Sequence, residues 1–153
     1  MNLQIPAPLK KEHDELHAQL VRATNEPGVV GEAAREVARL LRPHFVKEEE
    51  FGLPPLGLLS EVARGAVRAD MAEALAMTRR IKAELPAMFA EHRLIAAALE
   101  VLRREARRAG RRDVEEFADA LQRHAETEEL VLYPAAVLLG EHLARVLEEE
   151  PVL

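Results

Sequence analysis

The chain has 153 residues, enough for one domain with a single buried core. Hydrophobic residues make up 48% of it but aromatics only 3%, so the core must be aliphatic, and the abundance of Ala, Leu, Arg and Glu favours helix over strand. A net charge of −6 speaks against a nucleic-acid surface, and the absence of cysteine excludes disulfides, thiolate metal sites and thiol catalysis.

The opening MNLQIPAPLKKEH has no apolar signal region, and no run approaches the roughly 18 continuous apolar residues that span a bilayer. A soluble, cytoplasmic protein without a membrane partner is expected. Leu9, Leu16, Leu20 and Val21 then mark a first helix over about 7–24, broken by NEPG at 25–28. A second helix is expected from Val29 to Phe51, with Val37, Leu40, Leu41 and Phe45 on one face and a bend at Pro43. GLPPLG at 52–57 interrupts it, and a short helix is expected over 56–64.

A long helical tract follows over 68–109, kinked or split by Pro86 and closed by Gly110 as a C-terminal cap. The arginine-rich RREARRAGRR at 103–112 is interrupted by Glu105 and followed by acidic residues, so it reads as a solvated helix end rather than a nucleic-acid patch. Asp113 is the expected N-cap of a fourth long helix reaching Leu132, with Glu116 completing a capping box. Pro134 is expected to break that helix, with a terminal helix over 135–149. The fold class is therefore all-α: an antiparallel up-down-up-down four-helix bundle with a short helix between hairpins and an extra C-terminal helix.

One device occurs twice. HFVKEEEFGLP (44–54) and HAETEELVLYP (124–134) both place Glu at +4 and +5 from a histidine and Pro at +10. EHDELHAQL (12–20) precedes the first by 31 residues, from His13 to His44, and EHRLIAAAL (91–99) precedes the second by 32, from His92 to His124. The chain thus reads as a duplicated helical hairpin, with a His on its first helix and His-x-x-x-Glu on its second.

Residues four apart project from one helical face, so His44 points with Glu48 and His124 with Glu128. Leu40, Leu41, Phe117 and Leu121 put that face on the apolar side, toward the bundle interior. Four imidazoles and two carboxylates in a dry core are untenable unless compensated, because unpaired buried polar groups cost several kcal/mol each. A pair of cations would compensate them: imidazole with carboxylate suits iron, manganese or zinc, and a glutamate can bridge two ions.

From about His13 to Pro134 the pattern resembles the hemerythrin-like (HHE cation-binding) family. The resemblance implies one domain over 1–153, with HHE hairpins at about 7–54 and 86–134. It further implies a non-haem di-iron centre, oxo- or hydroxo-bridged, with manganese or zinc as alternatives. His13, His44, His92 and His124 match the motif histidines, and Glu48 and Glu128 the bridging carboxylates. That family commonly uses a fifth histidine. His17, one turn from His13, is favoured for it, and His142, beyond Pro134, reads as a surface residue.

Glu49 and Glu129 are expected at the rim, and Tyr133 as a structural residue at a helix end. Leu16, Leu41, Ile95 and Leu121 could line the site. The resemblance implies dioxygen or another small diatomic or peroxide as ligand, in a protein that binds or senses oxygen or holds iron. Other readings are a redox enzyme acting on nitric oxide or peroxide, and an iron-sulfur cluster repair protein. The last usually carries an N-terminal cysteine-bearing segment, which this sequence does not show.

Overall fold

The computed structural model describes residues 1–148, and among them every regular element is helical. The helices are α1 (Ala7–Thr24), α2 (Gly28–Lys47), α3 (Leu59–Ala63), α4 (Ala72–Arg108), α5 (Arg112–Thr127) and α6 (Tyr133–Glu148). Ladders of paired side chains fix their directions. Along α4 and α5–α6, Arg107 meets Glu115, Arg103 meets Asp119, His92 meets Glu129 and Lys82 meets Glu141, so sequence numbers fall on one helix as they rise on the other. Lys47 with Glu84 and His44 with Glu91 do the same for α2 and α4. Glu12 with His124 and Glu26 with Arg111 do so for α1 and α5. All-α, antiparallel four-helix architecture is what the periodicity predicted.

The end of α4 forms where expected. Gly110 takes φ +68°, its N–H donates to the Arg107 carbonyl and the Arg111 N–H to the Ala106 carbonyl, a paired closure that a side chain at this φ would strain. Three boundary expectations need correction. Pro86 does not split α4, which runs 37 residues without interruption, about 55 Å at 1.5 Å per residue. Asp113 does not cap α5: the helix starts at Arg112, and Asp113 bonds Arg111 while Glu116 bonds Arg112. Pro134 does not break the chain into separate helices.

Pro134 is tolerated because a wide turn precedes it. The Tyr133 N–H bonds the Glu128 carbonyl five residues back, as the Leu53 N–H bonds Glu48 at 2.8 Å in the first half. An i→i+5 turn spends an extra residue, and the next position in each copy is a proline, which has no N–H to place. After Pro54 the chain tightens into a 3-10 turn over Pro54–Leu58 and then α3. After Pro134 it simply continues as α6, so α5 and α6 form one helix from Arg112 to Glu148, and the expected extra terminal helix is its extension. Residue 149, the expected end of that helix, lies outside the described residues. By length and composition this joined helix could cross a bilayer, which the sequence pattern had not suggested. Its inward residues pack against α4 and supply two side chains of the central polar cluster.

The upper part of α4 packs closely on α6. A Cβ placed on Gly140 would lie 2.2 Å from Oγ1 of buried Thr78. Gly140→Ala is therefore expected to cost about 1–3 kcal/mol through overpacking, seen as a lower urea midpoint with an unchanged m-value. A midpoint matching that of the parent would mean the two helices do not touch there.

Candidate metal centre

The polar cluster lies between two apolar layers. On one side Leu16, Leu20, Val37, Leu41, Ile95, Leu99, Phe117 and Leu121 form the main core. On the other, Phe51, Leu53, Leu56, Ile81, Met88 and Tyr133 form a second. Each long helix passes from one layer to the other through a site residue: α4, for example, runs Met88, His92, Ile95. The four proposed lining residues Leu16, Leu41, Ile95 and Leu121 are all buried, on the main-core side.

Six of the seven expected ligands meet there, the six given by the repeat, and all six are buried. They form two groups, His13, Glu48, His124, Glu128 and His44, Glu48, His92, Glu128, each with one donor atom per residue and all four donors within 4.8 Å of one another. Glu48 and Glu128 belong to both. Each group therefore joins the first helix of one hairpin to the second helix of the other, and the two glutamates lie between them.

The first group is a cage of unsatisfied atoms. Nε2 of His13 and His124 and Oε2 of Glu48 and Glu128 are buried without a hydrogen-bond partner. His13 Nε2 is 3.4 Å from Glu48 Oε2 and 3.7 Å from Glu128 Oε2, and His124 Nε2 is 3.2 Å from Glu128 Oε2. Leaving four such groups unpaired in a core is costly, and a cation bound by all four removes the penalty. The residues present fit a metal ion. In the second group His44 Nε2 lies 2.9 Å from Glu48 Oε1 and 2.9 Å from His92 Nε2, and His92 Nε2 lies 3.4 Å from Glu128 Oε1.

A ring of outer carboxylates orients the imidazoles. His44 Nδ1 donates to Glu91 at 2.7 Å, His92 Nδ1 to Glu129 at 2.9 Å and His124 Nδ1 to Glu12 at 2.7 Å; Glu49 stands 3.7 Å from His13 Nδ1. These contacts obey the duplication: the glutamate before each first-helix histidine serves the other hairpin's second-helix histidine. An Nδ1–H given to a carboxylate leaves Nε2 free to point inward as a ligand. Glu49 and Glu129 do lie at the rim as expected, yet Glu129 also accepts a hydrogen bond from His92 Nδ1.

Burial alone would lower His44, but hydrogen bonds and charge from Glu48, with Glu91 behind, outweigh it and hold the imidazolium up to about 9. His124 is held at about 9 against the same burial by Glu128, Glu12 and Glu48. Burial and the facing Glu128 charge push Glu48 up to about 7. Glu128 goes the other way: burial opposes it, but Glu48 and the surrounding histidines hold it well below the usual carboxylate range. Without a cation the pocket thus balances its charge by retaining protons.

The chain matches the Hemerythrin HHE cation binding domain over residues 4–136. It belongs to the hemerythrin HHE cation-binding family. No curated protein and no solved structure shows a significant match.

The HHE match takes in all six converging residues, and it ends just past Tyr133. His17 stands apart. It is exposed, belongs to neither group, and lines a groove between α1 and α2 with Lys10, Asp14, Arg42, Phe45, Val46 and Glu49. The expectation that it completes the ligand set is corrected: α1 buries the line His13, Leu16, Leu20 and Ala23, and its packing leaves His17 on the exposed flank of that line. His142 is exposed on α6, as expected.

Tyr133 is the residue that sequence reasoning undervalued. It is fully buried, and its hydroxyl donates to Glu48 Oε1 while lying 3.3 Å from Nε2 of both His44 and His92. Burial, then the charges of Glu48 and Glu128, push that hydroxyl's pKa up, so without metal it stays a donor. In a regular helix Leu132, four residues beyond Glu128, would face inward; the wide turn brings Tyr133 there instead. Pro134 was the available signal, because its partner Pro54 sits at the same offset after an identical turn.

Proposed function

We propose that this HHE domain holds a dinuclear iron centre through His13, His124, His44, His92 and the shared carboxylates Glu48 and Glu128. In this reading it binds or senses dioxygen, or another small diatomic or peroxide, or holds iron, in a cytoplasmic setting. Four buried donor atoms that converge without any partner carry the reading. A pair of four-donor groups with two carboxylates in common favours two ions over one.

When bound, such a pair would supply redox-active coordination chemistry. The chain's own contribution is to present imidazole and carboxylate donors, keep them dry between two apolar layers, and fix the rings of His44, His92 and His124 through outer carboxylates.

The test is metal analysis of the native protein together with its visible spectrum in air and after reduction. About two irons per chain and a spectrum that changes reversibly with oxygen are expected; sustained consumption of nitric oxide or peroxide would make it a redox enzyme instead. His124→Ala should lower metal content, and His142→Ala should leave it unchanged. Equal losses from both would remove the ligand assignment, and a chain carrying only zinc would remove iron.

A further inference from the structure

The two halves of the centre are not equivalent. By the offset that relates His44 to His124, Glu48 to Glu128 and Pro54 to Pro134, the counterpart of Tyr133 is Leu53. Both are fully buried in the same apolar layer. Only one of them carries a donor atom, and besides the shared Glu48 that atom meets the histidines of one group alone, His44 and His92.

Building on the dinuclear reading, we propose that Tyr133 is a fifth protein ligand, whose oxygen coordinates the ion held by His44 and His92. Its oxygen is hydrogen-bonded to Glu48 Oε1 and lies 3.3 Å from Nε2 of both histidines, so it sits among three of that group's four donors. One hydroxyl proton satisfies only Glu48. The two flanking nitrogens are arranged as co-ligands around a common centre rather than as partners of one linear hydrogen bond.

The ring is also pinned. It stacks on His92 with centroids 5.7 Å apart and 27° between planes, and Phe89 stands 6.4 Å away on a tilted plane. A side chain that cannot swing out has its oxygen preorganised for the ion. On binding, the phenolic O–H bond is replaced by a metal–oxygen bond, and the proton leaves to buffer with no change in oxidation state.

Among the described residues the other group has no such fifth donor. Leu53 is apolar, and Phe45 stacks on His13 with centroids 4.4 Å apart. His13 and Phe45 also line the α1–α2 groove. The ion of His13 and His124 would therefore have one protein donor fewer than its partner.

Tyr133 is the only tyrosine in the chain, so spectroscopy can address it directly. Metal-free protein is titrated with ferrous iron and then exposed to air, or titrated with zinc. Tyrosine ionisation is followed by ultraviolet difference, and in the iron protein by visible absorption and resonance Raman. The expected result is one ionised tyrosine per chain at neutral pH with either metal, and a tyrosinate-to-iron band in the ferric protein. Tyr133→Phe should abolish both signals and weaken the ion of His44 and His92 by about 100-fold, at or beyond the loss an outer partner gives, while the ion of His13 and His124 binds as before. Two bound ions with no tyrosine ionisation in the parent chain would overturn the proposal and leave the dinuclear reading intact. No bound ion at all would overturn both. The parent chain decides the matter even if the variant does not fold.

Discussion

Replacing Glu128 with alanine is expected to reduce bound metal from two ions per chain to fewer than one, because this carboxylate is shared by both groups of donors. The affinity loss should reach about 100-fold or more, beyond the roughly 10- to 100-fold typical of an outer partner. Glu129→Gln supplies that comparison, since Glu129 touches only the far nitrogen of His92. The measurement is metal per chain after dialysis, together with the rise in melting temperature on adding metal. For Glu128→Ala the rise should vanish, and for Glu129→Gln it should shrink. If the two variants lose metal equally, or if Glu128→Ala retains one full ion, Glu128 does not bridge.

Acidity should act in opposite directions on the metal-free and metal-loaded protein. In the metal-free chain His44 and His124 titrate at about 9, above the ordinary 6.5 of an unfolded histidine. A raised folded value gives stability that is complete below 6.5 and is lost as pH climbs through 9. Each histidine contributes on the order of 3 kcal/mol to that loss. Glu48, held at about 7, adds a loss of the same sign between 4.5 and 7. Depressed Glu128 works the other way, but its stabilisation is already complete above the ordinary carboxylate range.

Metal binding needs those imidazoles deprotonated, so its affinity should increase over the same interval, with protons released. Chelator-treated protein is therefore expected to melt at progressively lower temperature from pH 6.5 to 9, while the gain from added metal widens. Melting curves at several pH values with and without metal, plus proton release measured in weak buffer, test both halves. A metal-free melting point that rises across this window would contradict the charge arrangement described for the pocket.

Most of the site was legible in the sequence because it obeys simple helical rules. His-x-x-x-Glu puts two donors on one face, the apolar residues at 3 and 4 spacing say that this face is inward, and duplication multiplies the pattern. His13 and His92 followed from the repeat alone. Two things were not legible. His17 shares the spacing of a ligand pair, but only the packing of α1 against α2 and α5 shows that its direction is outward. Tyr133 lies five residues past Glu128, a position that an ordinary 3.6-residue helix turns away from the core. The outer carboxylates were visible as letters, Glu12 and Glu91 each just before a histidine. Their service to the opposite hairpin appears only once four helices are assembled.

The paired wide turns give the segment from each shared carboxylate to its proline the character of a reading frame. One extra residue there sets the rotational phase of everything beyond it. Adding one more residue between Glu128 and Pro134 would rotate the rest of α6 by about 100°, carrying Leu139 and Leu143 off the core and bringing the exposed Leu138 and His142 into their places, whereas losing one would let a regular turn replace the wide one. Lengthening this stretch is thus not a local event. The packing of the whole far end of α6 therefore sets an upper limit on the count of residues between Glu128 and Pro134.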